Sequence, residues 1–279
     1  MTPETRTVVH VSDLHFGAAD QRLVDTLLQT IAGIAPHVVA ISGDLTQRAR
    51  RSQFVAARAF LLRLPAPHVV VPGNHDVPLY NVLARLVNPL GGYRRYISRE
   101  RFPVFADDAI VVAGADTTRS LTIQDGGLRA RDVRHLVRVL ARAPRGAARI
   151  IVCHHPFDPL TTRRSRLTLP RPASDAVGRL VTAGADVFLT GHLHVGYVGH
   201  TAVRYGVAGR SAIVVEAGTA TSVRIRGEVN SFNVLRIDSD TVRIERQIWN
   251  AAVSRFVPDH DERFTRTPGG WDRADTSIL

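Results

Sequence analysis

The amino-acid sequence predicts an α/β fold, and two of its patterns support this prediction. Short runs rich in valine and isoleucine, each bounded by Gly, Pro or Asp, are typical of buried strands. They alternate with longer segments in which apolar residues recur at helical spacing. Strands connected through helices gather their functional groups at the carboxyl ends of the strands, so we expect the active groups there.

Six strands and four helices are predicted in the first two thirds of the chain. The strands are Thr7–Ser12, His37–Ser42, His68–Pro72, Ala109–Gly114, Arg149–His154 and Asp186–Thr190. The helices are Arg22–Ile34, Ser52–Leu64, Val133–Ala143 and Ser174–Ala183. From Val195 onward strands follow one another without helices, and they are Ala212–Ala217, Ser231–Asp238 and Thr241–Trp249. This last run predicts a second sheet or a sheet edge.

Length and composition are those of a globular chain of 279 residues, 44% of them hydrophobic and 22% charged. We expect one domain over residues 1–258, a loop at Leu160–Pro172 and a mobile tail over residues 259–279. The sequence has no long uninterrupted apolar run and no signal-peptide pattern, which predicts no membrane span and a cytoplasmic location. The single cysteine, Cys153, fits a reducing compartment and is expected to be a buried, unreactive thiol.

The net charge of +11 comes entirely from arginine, because none of the 36 basic residues is lysine. Arginine without lysine indicates the codon bias of a GC-rich genome. The arginines are spread along the chain and form no basic helix or aromatic platform, so nucleic acid is a possible partner that the sequence does not favour. The charge does favour anionic substrates.

Polar side chains follow five of the predicted strands, at the point where each strand ends. They are Asp13 and His15, Asp44, the run Asn74, His75 and Asp76, the pair His154 and His155, and the pair His192 and His194. Each alone has a structural explanation as a helix cap, a turn residue or a core histidine. Their joint occurrence at equivalent strand ends has none, and it predicts a functional site.

The composition of this set predicts a site for two metal ions. Carboxylate oxygen and imidazole nitrogen suit divalent Mn, Fe, Co, Ni and Zn, and a single cysteine excludes a thiolate site. Residues two apart on an extended segment point to the same side, so Asp13 and His15 are expected to face one cluster, as are His192 and His194. Adjacent glycines permit close approach, and a shared carboxylate can bridge two ions about 3.5–4 Å apart.

These blocks resemble, in order and in local sequence, the calcineurin-like metallophosphoesterase family. Its D-x-H, G-D, G-N-H-D, H-x-P and G-H-x-H motifs match Asp13-Leu14-His15, Gly43-Asp44, Gly73-Asn74-His75-Asp76, His154-His155-Pro156 and Gly191-His192-Leu193-His194. The resemblance covers about residues 7–250 and is closest to the bacterial branch that includes the class III cyclic-nucleotide phosphodiesterases. It implies a four-layer α/β/β/α sandwich of two mixed sheets flanked by helices.

The resemblance also implies a role for each polar residue. Two divalent transition metal ions, Mn, Fe, Zn or Co, are expected, the first held by Asp13, His15 and His194. The second is expected to be held by Asn74, His154 and His192, with Asp44 bridging the two ions. His75 then faces the substrate phosphate, where it stabilises charge or protonates the leaving oxygen, and Asp76 orients it. The residues alone permit either His154 or His155 as the ligand.

The implied activity is hydrolysis of small phosphodiesters such as cyclic nucleotides, by attack of a hydroxide that bridges the two metal ions. A phosphomonoesterase or a nuclease with the same site is the alternative, although a nuclease is expected to carry additional DNA-binding elements. A non-catalytic scaffold of the same fold is the third hypothesis, and the complete ligand set counts against it.

Substrate-binding residues are less clearly marked in the sequence. Arg119, just beyond a predicted strand, is a candidate for binding the substrate. Arg163, Arg164 and Arg166 in the Leu160–Pro172 loop either contact a phosphate or are solvated. The sequence does not indicate the oligomeric state, and a homodimer is a candidate only because it is the commonest assembly of soluble homo-oligomers.

Overall fold

The computed structural model describes residues 4–119, 126–156, 171–201, 210–223 and 227–274, with the backbone alone described for residues 171–174. Its strands are β1 (Arg6–Val11), β2 (Val38–Ile41), β3 (His68–Val70), β4 (Val104–Ala106), β5 (Ile110–Gly114), β6 (Ala148–Val152), β7 (Val187–Thr190), β8 (Tyr197–His200), β9 (Ile213–Glu216), β10 (Ser231–Ile237), β11 (Thr241–Asn250), β12 (Arg255–Thr267) and β13 (Gly270–Arg273). Its helices are α1 (Gln21–Ile34), α2 (Arg51–Leu62), α3 (Val82–Val87), α4 (Gly91–Tyr96), α5 (Ala130–Ala141) and α6 (Arg171–Thr182).

The strands form two mixed sheets. One has the order β13-β12-β11-β10-β1-β2-β3 and the other the order β4-β5-β6-β7-β9-β8. In the first sheet β1, β2 and β3 are parallel, and β10 is antiparallel to β1. In the second sheet β5, β6, β7 and β9 are parallel. Each parallel part therefore has its carboxyl ends along one edge, where polar loops can meet.

Three apolar clusters show that the layers stack in the order α/β/β/α. The central cluster contains residues of both sheets, such as Val8 and Val38 from one sheet and Ile150 and Val187 from the other. A second cluster packs α1 and α2 on the outer face of the first sheet. A third packs α5 and α6 on the outer face of the second sheet. Strands buried on both faces explain why the valine-rich runs lack polar alternation.

The predicted elements are confirmed, and each of their ends lies within three residues of its predicted position. Elements that the sequence analysis did not predict are α3, α4, β4, β8, β12 and β13. The predicted Leu160–Pro172 loop lies outside the described residues up to position 170, and α6 already begins at Arg171. None of the helices in the described ranges is long and apolar enough to cross a membrane.

The structure corrects the prediction of a mobile tail for residues 259–274, because they belong to the first sheet. β12 continues from Arg255 to Thr267 and pairs along its length with β11, and β13 pairs with β12. Trp271 is fully buried, and its indole Nε1–H donates a hydrogen bond to Asp186 at 2.9 Å. The sequence of β12 concealed this strand, because most of its residues are polar and only two of its side chains are buried. Residues 275–279 lie outside the described part of the chain.

Candidate metal centre

The first of two clusters of ligand-type side chains lies where the loops after β1, β2 and β7 meet. It contains Asp13, His15, Asp44 and His194, all buried, with one potential ligand atom of each within 4.8 Å of the others. Asp13 Oδ1 lies 3.1 Å from His194 Nε2 and 3.6 Å from His15 Nε2. The two imidazole Nε2 atoms lie 3.2 Å apart. These atoms therefore converge on one small volume.

The second cluster lies where the loops after β3, β6 and β7 meet. Asn74 Oδ1 lies 3.0 Å from His154 Nε2 and 3.0 Å from His192 Nδ1. His192 Nδ1 and His154 Nε2 are 3.3 Å apart. One amide oxygen and two imidazole nitrogens therefore form a second convergent set, as the sequence analysis predicted for these three residues.

Asp44 lies between the two clusters. Its Oδ2 atom is 3.8 Å from His15 Nε2 on the first side, and its Oδ1 atom is 3.4 Å from His154 Nε2 on the second. The backbone N–H of His75 also donates to Oδ1 at 2.8 Å, which fixes the carboxylate. A carboxylate held with one oxygen toward each cluster has the geometry of a bridging ligand.

The loop backbone that presents these residues is strained rather than extended. Five of the clustered residues have positive φ angles, namely Asp13 at 53°, His15 at 48°, Asp44 at 51°, His192 at 78° and His194 at 61°. Such angles are uncommon for non-glycine residues and persist where the surroundings hold them in place. The sequence analysis expected extended backbone to turn both members of each pair, Asp13 with His15 and His192 with His194, toward the site. Both members of each pair do reach the site, but through backbone with positive φ angles and not through extended backbone.

Glycines leave the space that the clusters occupy. A β-carbon at Gly73 would overlap Asp44 Oδ1, and one at Gly191 would overlap Ser12 Oγ and crowd Asp13 Oδ2. Gly43 combines a φ of +98° with close contact to the His154 ring. The close approach that the sequence analysis predicted at these glycines is therefore present.

The hydrogen bonds of the two adjacent histidines distinguish their roles. His154 Nδ1 lies 2.8 Å from the carbonyl oxygen of Ser42, and a carbonyl only accepts, so Nδ1 carries a proton and Nε2, which points toward Asn74, is the nitrogen that can bind an ion. His155 instead pairs its Nδ1 with Thr117 Oγ1 at 2.8 Å. One ring nitrogen of His155 nevertheless lies within 4.8 Å of ring nitrogens of His154 and His192. The contact with Asn74 favours His154 as the ligand.

Burial and neighbouring charges shift the pKa values of the clustered groups. Burial alone would raise the pKa values of Asp13 and Asp44, but adjacent imidazoles hold both below the usual range. Burial lowers the pKa of His192 to about 4. Burial also acts to lower the pKa of His154, but Asp44, Asp13 and the Ser42 carbonyl together outweigh it and raise that pKa to about 9. Ionised carboxylates and an unprotonated His192 are the states that bind a cation, and a bound cation would replace the proton on His154.

One observation tests directly whether these residues fit a metal ion. Asp13 Oδ1 is buried and makes no hydrogen bond among the described residues, although two imidazole nitrogens stand close to it. Two facing imidazole lone pairs and a carboxylate oxygen repel one another unless a proton or a cation lies between them. The donor set and its burial therefore fit a divalent transition metal ion.

His75 lies at the edge of the first cluster and is held by Gln47. Its Nδ1 lies 2.9 Å from the Gln47 carbonyl oxygen, and its Nε2 lies 4.0 Å from Asp44 Oδ2. Burial lowers the pKa of His75 although Asp44 opposes this shift. The ring is about a quarter exposed, so it faces the open side of the site.

The prediction that Asp76 orients His75 is corrected by the hydrogen bonds of Asp76. Its carboxylate accepts from the backbone N–H groups of Leu45, Thr46 and Gly73 at 3.1, 2.8 and 3.0 Å. Thr46 Oγ1 also donates to it at 2.9 Å. Burial, and then the charge of Asp44, raise the pKa of Asp76 to about 6. Asp76 therefore fastens the loop after β2 to the loop after β3, while Gln47 orients the His75 ring.

Arg119 is exposed and packs on Gly127, whose neighbour Gly126 packs on His155 beside the second cluster. Its guanidinium packs so closely on Gly127 that no β-carbon would fit, and Gly126 packs in the same way on the His155 ring. The ring centroids of His155 and His192 are 4.8 Å apart. Binding of substrate by Arg119 stays a prediction, and Arg163, Arg164 and Arg166 lie outside the described residues.

Three residues that support the site were not identified from the sequence. Thr219 Oγ1 donates to the Asp13 carbonyl and Thr221 Oγ1 to the Leu14 carbonyl, each at 2.8 Å, and so hold the strained loop after β1. The third is Gln47, which acts through its main chain. The available signal was the position of Thr219 and Thr221 in the short segment that follows the predicted strand Ala212–Ala217. Cys153 is buried as predicted, and burial raises the pKa of its thiol.

A model of the calcineurin-like phosphoesterase family matches residues 6–196. The purple acid phosphatase PPD1 from yellow lupin (Lupinus luteus) seeds is 15% identical, with a TM-score of 0.67 over 94% of this chain and 54% of that one. A structure of PhoD is 10% identical, with a TM-score of 0.67 over 100% of this chain and 73% of that one. Vacuolar protein sorting 29 from Cryptosporidium parvum is 11% identical, with a TM-score of 0.51 over 94% and 98%.

These structural similarities concern the fold alone, since the identities are low. The chain spans about half the length of the lupin phosphatase. A search of curated proteins found no match.

Proposed function

We infer the function from one premise: the chain belongs to the calcineurin-like phosphoesterase family. Family membership and the two clusters of histidine and aspartate support a phosphoester hydrolase that uses two divalent metal ions. The observation that carries this inference is the position of Asp44, whose two carboxylate oxygens lie toward different clusters of imidazole nitrogens. A carboxylate with a purely structural role would not require one oxygen to face each cluster.

We propose that the first cluster holds one ion through Asp13, His15 and His194, and that the second cluster holds another through Asn74, His154 and His192. Asp44 would bridge the two ions. When bound, such a pair of ions activates water and neutralises charge on the phosphate oxygens. The protein contributes the positions of the ligands, which it fixes through further hydrogen bonds.

Those further hydrogen bonds set the orientation and the tautomer of the proposed ligands. The Ser42 carbonyl fixes the proton of His154 on Nδ1 and so directs the Nε2 lone pair inward. The backbone N–H of His192 donates to Asp13 Oδ2 at 3.0 Å, which leaves Oδ1 free for an ion. The two loops therefore hold each other in place before any ion binds.

His75 is proposed to act on the phosphate oxygens of the substrate. With Nδ1–H donated to Gln47, a proton on Nε2 requires the imidazolium form. Burial lowers the pKa of His75, and the negative charge of a bound phosphoester would raise it again. His75 can therefore acquire its second proton with the substrate and donate it to the leaving oxygen.

We propose small phosphodiesters of the cyclic-nucleotide type as substrates. The local sequence of the metal-binding blocks supports this through its likeness to the class III branch. Arg119 packs on Gly127, and the adjacent Gly126 packs on His155. This position near the second cluster supports a role for Arg119 in binding an anion. A complete ligand set at both clusters counts against the hypothesis of a non-catalytic scaffold.

The test compares substrates under one metal condition. The purified chain is assayed with Mn or Fe against an aryl phosphodiester, cyclic nucleotides, glycerophosphodiesters, nucleoside monophosphates and single-stranded DNA. The highest kcat/KM is expected for a small diester, with close to two transition metal ions per chain by elemental analysis. A higher kcat/KM for monoesters or for DNA would replace the diesterase proposal by one of those activities. Absence of both bound metal and turnover would remove the enzyme proposal.

A further inference from the structure

The short helix α3 has its polarity reversed relative to a normal surface helix. Its residues at spacings i, i+1, i+4 and i+5 share one side, and this side is apolar and faces solvent. With the preceding tyrosine it forms what we define as the outer face of α3, namely Tyr80, Val82, Leu83, Leu86 and Val87, exposed by 73%, 62%, 72%, 55% and 76%. Arg85, by contrast, is buried and donates to the Pro78 carbonyl at 3.2 Å. Five large apolar residues in one exposed segment indicate an interaction surface.

Arginines flank the outer face of α3 at both ends. At the amino-terminal end the Arg48 guanidinium lies 5.1 Å from the centre of the Tyr80 ring and contacts its hydroxyl. At the carboxyl-terminal end Arg94 Nη1 donates to Asn88 Oδ1 at 3.4 Å. The stretch of residues 77–104 contains five arginines and a single acidic residue, Glu100. The apolar face therefore lies in a strongly basic surrounding.

An open groove continues this surface beyond the end of α3. It has a volume of about 460 Å³, and Asn88, Arg51, Arg95 and Tyr96 are among its lining residues. Both arginines are exposed, and Asn88 is the residue that directly follows α3. An anionic group can thus bind in the groove while an apolar group contacts the adjacent helix.

We propose that the outer face of α3 docks on an anionic lipid surface. An apolar helix face bordered by arginines is the pattern of an interfacial segment, in which the apolar side chains enter the boundary between headgroups and acyl chains. Basic residues near such a surface are attracted to its anionic headgroups, so the flanking arginines add an electrostatic contribution to that of the apolar contacts. The groove would receive a lipid headgroup phosphate.

Charge distinguishes this partner from a second copy of the chain. A symmetric dimer through the outer face of α3 would bring Arg48, Arg94 and Arg95 of one copy toward the same residues of the other, with Glu100 as the single acidic residue of the stretch 77–104 to balance them. An anionic lipid surface instead complements the basic surrounding. Arg48 directly follows Gln47, whose carbonyl oxygen lies 2.9 Å from His75 Nδ1. The outer face of α3 therefore lies beside the two clusters of proposed metal ligands. Docking does not depend on the proposed hydrolysis.

The test measures binding of the full chain to vesicles by co-sedimentation. Vesicles of equimolar phosphatidylglycerol and phosphatidylcholine are compared with vesicles of phosphatidylcholine alone. We expect binding to the anionic vesicles only, and at least a tenfold loss for Leu83→Asp combined with Leu86→Asp. Val253→Asp changes an equally exposed apolar residue elsewhere, between β11 and β12, and is expected to bind like the wild type. Added salt should weaken binding, because the flanking charges are exposed.

Four results would overturn the proposal. The first is no binding to anionic vesicles by a monomeric chain, which would leave the face for a protein partner. The second is an equal loss of binding in Val253→Asp. The third is a wild-type dimer, seen by light scattering, that the double aspartate variant dissociates. The fourth is a lower Tm of that variant by more than a few degrees, which would mean that the face packs within the folded chain.

Discussion

The carbonyl oxygen of Gln47 lies 2.9 Å from Nδ1 of His75, so the backbone of one loop fixes the proton and the orientation of the imidazole in another. Because the interaction uses the main chain of Gln47, no change of the Gln47 side chain removes it. The His75 side chain is not among the proposed ligands: its Nε2 lies 4.0 Å from Asp44 Oδ2, and its ring packs edge-on against the ring of His15 with centroids 4.8 Å apart.

His75→Ala is predicted to leave both metal ions bound and to lower kcat on an aryl phosphodiester by about 100-fold to 10,000-fold, the range expected for a lost proton donor. Asn74→Ala is predicted to remove the oxygen that meets His154 and His192, and so to lower the metal content toward one ion per chain. Elemental analysis and steady-state kinetics on the two variants make the comparison. Equal metal loss in both would show that His75 is itself a ligand.

Gly191→Ala is predicted to cost at least about 100-fold in kcat/KM, the size of effect that a misplacement of about 1 Å produces. The added β-carbon would overlap Ser12 Oγ and push against Asp13 Oδ2, so the first cluster should lose its ion more readily. Metal content after dialysis against a weak chelator measures this loss.

Gly33→Ala is the matched control for this substitution, because nothing lies within 4 Å of the new methyl group on α1. It should leave activity unchanged and raise the free energy of unfolding by about 0.5–1 kcal/mol, since alanine is the better helix former. Normal metal retention in Gly191→Ala would contradict the crowding argument.

The sequence predicted the parts of the fold that follow from apolar patterns. Strands such as β2 and β7 are buried on both faces, so every residue except Thr190 at the end of β7 is apolar and the pattern is unambiguous. β12 escaped prediction because most of its residues are charged or polar and lie exposed or half-buried, so its sequence has no apolar periodicity. α3 escaped because its apolar residues face outward, and a helix of six residues gives too short a pattern.

The site was predictable as a set of residues but not as a geometry. Asp13, Asp44 and Asn74 could be identified from local motifs, because a carboxylate or amide residue at the end of a predicted strand is visible in the sequence. The positive φ angles that bring Asp13 and His15 together depend on tertiary contacts from Thr219 and Thr221, which lie more than 200 residues later. Asp76 was assigned to its sequence neighbour His75, whereas its hydrogen bonds lead to a different loop.

Asp186→Ala is predicted to lower the free energy of unfolding by about 1–3 kcal/mol, because it leaves the buried Trp271 Nε1–H without an acceptor and removes the partner of two partly exposed arginines. Asp186 is fully buried, and its Oδ1 accepts from Trp271 Nε1, Arg210 Nη2 and Arg266 Nη1 at 2.9, 2.9 and 3.1 Å. These contacts fasten β12 and β13 to the second sheet. Chemical unfolding followed by tryptophan fluorescence measures the change.

Asp261→Ala is the control for this prediction, because its ion pair with Arg243 is half exposed and such pairs contribute about 0–1 kcal/mol. It should therefore lower stability much less than Asp186→Ala. Similar losses in the two variants would show that the buried contacts of Asp186 do not hold the last two strands in place.

His10→Gln is predicted to reduce the loss of stability in acid. His10 is fully buried between the two sheets, its Nε2 lies 2.9 Å from Ser42 Oγ, and burial lowers its pKa to about 3. The unfolded chain binds a proton at its ordinary pKa near 6.5, so His10 leaves stability intact above that pH and removes it progressively as the pH falls toward 3. The slope of this loss is about 1.4 kcal/mol per pH unit for one proton.

We check this prediction by urea unfolding of wild type and His10→Gln between pH 4.5 and pH 7.5, a range from about 2 units below to about 1 unit above the ordinary pKa of histidine. Glutamine keeps a polar group for Ser42 but takes up no proton, so the variant should lose less stability than the wild type as the pH falls. Comparing the two pH values within each protein removes the constant effect of altered packing. If both proteins lose the same free energy of unfolding over this range, His10 is not the residue that makes the fold sensitive to acid.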